Sequence, residues 1–293
     1  MGINENSRDE LKRAIKKSGG NAESIINLNV MAKKALSEEQ DCKEGMYWCK
    51  KSKKGKPMTR LIISSLLLLI VSCSGSKEKP LHPEVVSPDV YKVLLENDDV
   101  KVLEVTFEPG QSDNMHEHYP ATVYIIQGGK AQVTLPDGTV NEIEPPTGFI
   151  GHNTEKARHQ VKNIGDNTIK IILVERKNTH PASESEETLI LPEEVSPDVY
   201  EVIFENDDVK VLDVTFAPGQ GDNIHEHGVI TYYGIKGGKL QNTLPDGTVK
   251  EMEVPDGFVG HGNKIVKHQM ENVGDDTVQV IIVEHKKLRP VKE

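Results

Sequence analysis

The chain has 293 residues, of which 36% are hydrophobic, and this length corresponds to about two domains, each large enough for its own core. The formal net charge is −11, and residues 74–293 carry 21 Lys and Arg against 38 Asp and Glu. An acidic surface repels phosphate backbones, so we expect no nucleic acid partner. All three cysteines lie at or before Cys73, so the acidic part depends on neither disulfides nor thiolate metal sites.

Residues 1–57 form a basic N-terminal extension with too few apolar residues for a core. Runs such as residues 11–17 favour short helices, and the extension as a whole is predicted to be mostly helical or disordered. It indicates no function. Because Met58 and Arg60 would make an ordinary start to the segment that follows, either Met58 is the true start or residues 1–57 are a separate cytoplasmic segment.

Residues 58–73 read as a signal segment. Eleven almost continuously apolar residues, Leu61–Val71, follow Arg60, about half the length that spans a bilayer. The run shows no amphipathic period, which argues against a buried core helix. The residues Ile70-Val71-Ser72-Cys73 resemble the lipobox of bacterial lipoproteins, which implies cleavage before Cys73 and acylation of its thiol. We therefore expect a lipid-anchored protein at the cell envelope, with the membrane contacted only through that anchor.

The rest of the chain is an internal duplication. A shift of 109 residues superposes Glu84–Lys177 on Glu193–Lys286 without a gap, and about 60% of the positions are identical. We assign domains to residues 82–177 and 191–287, joined by a polar linker at residues 178–190. Within the first copy, alternating or β-branched runs predict strands over 100–107, 130–135, 139–144 and 168–174, with a tight turn at Pro136-Asp137-Gly138.

Four histidine positions recur in both copies. On a strand, His116 and His118 point to the same face while Glu117 points away, and a neighbouring strand could bring in His159. The second copy repeats the pattern. The predicted metal ligands are His116, His118, His159, His225, His227 and His268.

These motifs resemble those of the cupin superfamily. Gly110-x5-His116-x-His118 with Gly129 resembles cupin motif one, His159-x3-Asn163 resembles the end of motif two, and the second copy matches likewise. The resemblance implies an all-β fold of two tandem jelly-roll β-barrels, a bicupin, with a divalent metal near each centre. In two places the motifs differ: Thr122 and Thr231 fall near the usual glutamate ligand, and the Pro-x-Gly turn of motif two is missing.

Imidazole ligands suit iron, manganese, zinc, nickel and copper alike, so the metal's identity stays open. His152 and His261, the fourth repeated pair, are the candidate catalytic residues. They could replace the missing carboxylate, transfer protons above the metal, or only bond a backbone carbonyl.

Three functions follow as hypotheses. The first is a metal-binding bicupin that holds a small polar ligand, such as a sugar or a carboxylic acid, at the cell envelope. The second is a metal-dependent enzyme such as a dioxygenase, an isomerase or a decarboxylase, and the third is a structural spacer. Both homo-oligomers and pairing of the two barrels within one chain are open.

Overall fold

A computed structural model describes residues 81–178 and 189–288. The N-terminal extension, the signal segment with Cys73 and most of the linker lie outside the described residues. Within those two described ranges, no helix is long and apolar enough to cross a membrane.

The first copy consists of one helical turn followed by nine strands. These are α1 (Pro83–Val86), β1 (Tyr91–Glu96), β2 (Val100–Phe107), β3 (His116–His118), β4 (Ala121–Gln127), β5 (Ala131–Thr134), β6 (Val140–Ile143), β7 (Ile150–Asn153), β8 (Ala157–Asn163) and β9 (Ile169–Arg176).

The second copy repeats this order element by element. Its elements are α2 (Pro192–Val195), β10 (Tyr200–Glu205), β11 (Val209–Phe216), β12 (His225–His227), β13 (Ile230–Lys236), β14 (Gly238–Thr243), β15 (Val249–Val254), β16 (Val259–Gly262), β17 (Val266–Asn272) and β18 (Val278–His285).

Each copy is built from two antiparallel sheets. In the first copy these have the orders β1-β2-β9-β4-β7 and β3-β8-β5-β6, and in the second β10-β11-β18-β13-β16 and β12-β17-β14-β15. Alternate residues of β2, such as Leu103, Val105 and Phe107, point inward and form the core. The predicted all-β class with two tandem barrels is therefore confirmed.

The local predictions also match the structure. The strand predicted over 100–107 has the bounds of β2. At the predicted turn Gly138 has a φ of 86°, which glycine adopts without strain, and the Thr139 amide donates to Asp137 Oδ1 at 2.8 Å.

The outer faces of the two five-stranded sheets pack against each other. Val102, Ile172 and Val174 of the first copy share one buried apolar cluster with Val211 and Ile281 of the second. This leaves the interior of each barrel to its own core and to the histidines.

Candidate metal centres

The first centre forms where the short strand β3 pairs with β8. Their register places His116 directly opposite His159, and the two-residue spacing puts His118 on the same face as His116. His116 and His118 are buried, whereas His159 is partly exposed. One ligand atom from each of the three rings lies within 4.8 Å of those of the other two, so the structure brings the predicted set together.

The second centre repeats this geometry. His225 lies opposite His268 in the pairing of β12 with β17, and His225, His227 and His268 form the other three-histidine group. The Nε2 atoms of His225 and His227 are 3.1 Å apart, against 2.7 Å for His116 and His118.

Hydrogen bonds on the far side of the rings orient the two buried histidines. His116 Nδ1 lies 2.8 Å from the Asn114 carbonyl oxygen; because a carbonyl only accepts, Nδ1 carries the proton and Nε2 keeps a free lone pair. His118 Nδ1 lies 2.6 Å from Glu175 Oε1. The matching contacts in the second copy are His225 to Asn223 and His227 to Glu284, both at 2.9 Å.

Glu175 and Glu284 belong to the surroundings of the two centres, although the sequence motifs do not include them. Both lie on the last strand of their copy and point inward, far along the chain from the histidine motif. A carboxylate that accepts from the outer nitrogen of a ligating histidine fixes the ring and raises its basicity. The signal in the sequence was a Glu at the same position of both copies, directly after a run of four apolar residues in the last strand.

The two glutamates differ in their second contact. Glu284 Oε2 lies 3.0 Å from Lys210 Nζ; burial would raise the pKa of Glu284, but the bonds from His227 and Lys210 outweigh it and lower that pKa. Glu175 Oε2 has no hydrogen-bond partner, and the equivalent lysine, Lys101, pairs with Glu84 and Glu96. Burial then raises the pKa of Glu175 to about 8.

Burial also keeps the histidines neutral. It lowers the pKa of His116 to about 3 and that of His118 to about 4, and it lowers the pKa of His159 well below its usual value. In the second copy, burial lowers the pKa of His225 to about 4 and that of His268 to about 3. These five imidazoles are neutral at pH 7, the form that binds metals.

The side chains present fit a divalent metal ion. The Nε2 atoms of His116 and His118 lie 2.7 Å apart, and at least one of them carries no proton. Two such atoms repel each other unless a cation or a proton lies between them. His268 Nε2 is buried without any hydrogen-bond partner, although nearly all buried polar atoms have one. Three neutral imidazoles around one point are a common first set of ligands for a transition metal, with further positions left open.

Two sequence-based assignments need correction. Thr122 does not lie at a ligand position: it points to the outer face of its sheet, where its Oγ1 lies 2.9 Å from His152 Nδ1. Thr231 makes the same contact to His261 at 3.0 Å. The inward-pointing neighbours are Val123 and Tyr232, and both pack against the barrel cores.

His152 and His261 lie outside both histidine groups. His152 pairs with Thr122 across β4 and β7, and its Nε2 lies 3.4 Å from Asp208 Oδ2 of the second copy. His261 Nε2 lies 3.7 Å from Asp99 Oδ2 of the first. The pair faces the contact between the barrels, so its position supports neither a ligand role nor proton transfer at the metal.

The strand order, the two sheets per copy and the two three-histidine groups are those expected of two tandem cupin-like barrels. No protein-family model and no curated protein matches the sequence. A variant of oxalate decarboxylase from Bacillus subtilis is 17% identical at a TM-score of 0.46, over 67% of this chain and 72% of that one.

Two other solved structures are similar. AerE from Microcystis aeruginosa is 13% identical at a TM-score of 0.47, over 67% of this chain and 97% of its own. A cupin domain from Bordetella pertussis is 26% identical at a TM-score of 0.29, over 30% of this chain and 93% of its own. These values are too low to transfer an activity to this chain.

Proposed function

We propose that the protein is a metal-binding bicupin that holds a small polar ligand, such as a sugar or a carboxylic acid, at the cell envelope. The observation that carries the proposal is the convergence of three mostly buried imidazoles in each copy. With three neutral ligands the ion keeps its full double charge, which favours an oxygen donor or an anion at the open positions.

The contacts around the two three-histidine groups, called triads below, support a preformed binding site. Backbone carbonyls and glutamates fix the outer nitrogens of the buried histidines, and such partners typically change metal affinity by about 10- to 100-fold. His159 and His268, the third histidine of each triad, are partly exposed. Their exposure supports access of a small molecule from solvent to the metal site on that side.

Metal analysis of the full purified chain tests the proposal. After growth with replete metals, mass spectrometry should find one ion per triad, and the double variant His116→Ala/His225→Ala should lose both. The matched control is His152→Ala/His261→Ala, which removes the same number of imidazoles outside the triads and should keep both ions. Metal-free unsubstituted protein, or equal loss in both variants, contradicts the proposal.

The envelope location rests on the sequence alone. Anchoring at Cys73 predicts an acylated N-terminal peptide beginning at that residue and a membrane-bound protein that Cys73→Ala releases. Recovery of unmodified Cys73 peptides from cells, joined to residues before them, contradicts this part of the proposal without affecting the metal sites.

The enzyme hypothesis loses its candidate acid and base, because His152 and His261 face the other barrel. Oxygen uptake by iron-loaded protein with diols, thiols or sugars would support the enzyme nevertheless.

A further inference from the structure

A tyrosine lies beside each triad and has no role in holding the metal as proposed above. Tyr91 Oη lies 3.2 Å from His116 Nε2, and its ring centroid is 5.2 Å from that of His116 and 5.9 Å from that of His118. In the second copy Tyr200 Oη lies 3.2 Å from His225 Nε2. Since Nε2 is the nitrogen that faces the metal, each phenol oxygen lies on the metal side of its histidine.

A buried aspartate orients this phenol. Tyr91 donates its hydroxyl hydrogen to Asp113 Oδ2 at 2.7 Å, and Asp113 Oδ1 accepts from the Val161 amide of β8 at 2.6 Å. Tyr91 and Asp113 are 5% and 3% exposed, so water does not compete for this bond. Tyr200 and Asp222 make the same contact at 2.7 Å.

This arrangement determines what the phenol offers to a ligand. Its only hydrogen is given to the aspartate, so the oxygen presents lone pairs toward the metal side. A group that brings a hydrogen there gains a hydrogen bond. A group that brings only an oxygen lone pair is repelled.

We propose that Tyr91 and Tyr200 are ligand-binding residues that each accept a hydrogen bond from a hydroxyl group of the metal-bound ligand. The inference rests on the proposed metal-binding function and narrows its ligand class to hydroxyl-bearing oxygen donors, such as hydroxy acids, diols and sugars. A hydroxyl group on a divalent metal is a strong donor, because the cation withdraws charge from the O–H bond. A plain carboxylate has no hydrogen to give.

Glycolate and acetate are matched probes, since they differ by one hydroxyl group. The full chain loaded with Co²⁺ is titrated with each, and the visible spectrum of the cobalt reports binding. The unsubstituted protein should prefer glycolate. Tyr91→Phe/Tyr200→Phe should lose roughly fivefold in glycolate affinity, the typical effect of one hydrogen bond, with acetate affinity unchanged or improved.

Tyr124→Phe/Tyr233→Phe is the matched control, because both tyrosines belong to the apolar cluster between the barrels, and it should bind both probes like the unsubstituted protein. Circular dichroism checks that each variant is folded. Absence of Co²⁺ binding by the unsubstituted protein overturns the proposed function and this inference together. Co²⁺ binding with no glycolate preference, or with a preference that Tyr91→Phe/Tyr200→Phe retains, overturns the inference alone.

Discussion

The glutamates behind the triads should control metal affinity, and their replacement is the sharpest test of the site. Glu175→Gln keeps the size of the side chain but replaces the carboxyl group that faces His118 Nδ1 at 2.6 Å with an amide. Loss of such an outer partner costs about 10- to 100-fold in metal affinity, which corresponds to roughly 1.4–2.7 kcal/mol of binding free energy. Glu284→Gln should have an effect in the same range.

Each centre has to be measured by itself. In a background that carries His225→Ala and His227→Ala, competition of Zn²⁺ between the chain and a chromophoric chelator gives the affinity of the first centre, and the converse background isolates the second. Glu117→Gln is the matched control: Glu117 lies between His116 and His118 on β3 but points outward, 3.3 Å from Lys156 Nζ.

The lysine contacts predict a further difference between the two centres. Lys210 pairs with both Glu193 and Glu284 and supports the ionised form of Glu284, whereas Glu175 Oε2 has no hydrogen-bond partner. Glu284→Gln should therefore cost at least as much affinity as Glu175→Gln. If both variants bind Zn²⁺ as tightly as Glu117→Gln, these carboxylates do not orient the ligands and the reasoning is refuted.

Three further predictions concern stability. Burial lowers the pKa of five histidines to about 3–4, namely His116, His118, His225, His268 and His285, so these side chains bind more protons in the unfolded chain. Each should cost metal-free protein up to about 1.4 kcal/mol of stability per pH unit as the pH falls from about 6.5 toward 4. Burial raises the pKa of Glu175 to about 8 and of Asp113 and Asp222 to about 6, which offsets part of this loss; urea unfolding that is equal at pH 7.5 and 5.5 contradicts the net loss. Val211→Asp buries a charge in the apolar contact between the barrels, so it should lower the free energy of unfolding, measured with heat or urea, by several kcal/mol. The control Val202→Asp, at a site 40% exposed, should lower it little. Equal stability of the two variants would count against the contact between the barrels. Asn163→Ala removes the bonds from Asn163 Nδ2 to the carbonyls of Phe107 and Asn167, and differential scanning calorimetry should show a loss of about 1–3 kcal/mol; an unchanged melting temperature would show that these bonds do not stabilise the fold.

Much of the fold could be read from the sequence because local patterns carry it. The duplication fixed the number of barrels, the alternation along β2 marked its inward and outward faces, and the Pro-Asp-Gly turn marked the hairpin between β5 and β6. The spacing of His116 and His118 placed both rings on one face of a strand. Pairing with His159 required the resemblance to cupins, because strand register depends on contacts distant in sequence.

The errors and omissions concern the direction of side chains and contacts between residues that are distant in sequence. Thr122 falls near the expected glutamate when positions are counted, but the pleat turns it outward and Val123 inward, and a shift of one residue reverses the face. Glu175 belongs to the triad's surroundings although it lies 57 positions from His118. Tyr91 lies on β1 and Asp113 lies in the loop before β3. Their side chains meet only in the folded barrel, so no spacing motif in the sequence reveals the pair.

The two centres share their polar groups and differ in their apolar walls. Histidines, tyrosine, aspartate and glutamate stand at equivalent positions in both copies, so the metal and the hydroxyl-binding group should be common to both. The inward position next to Thr122 is Val123 in the first copy, whereas the second has Tyr232, whose ring lies 5.9 Å from that of Phe258. Gly260 and Gly234 make room for these two rings, since a Cβ at either would come within 2.2 Å of ring atoms. This inward position is therefore aliphatic in one barrel and aromatic in the other, and we predict that the two centres bind the same metal but prefer ligands of different shape.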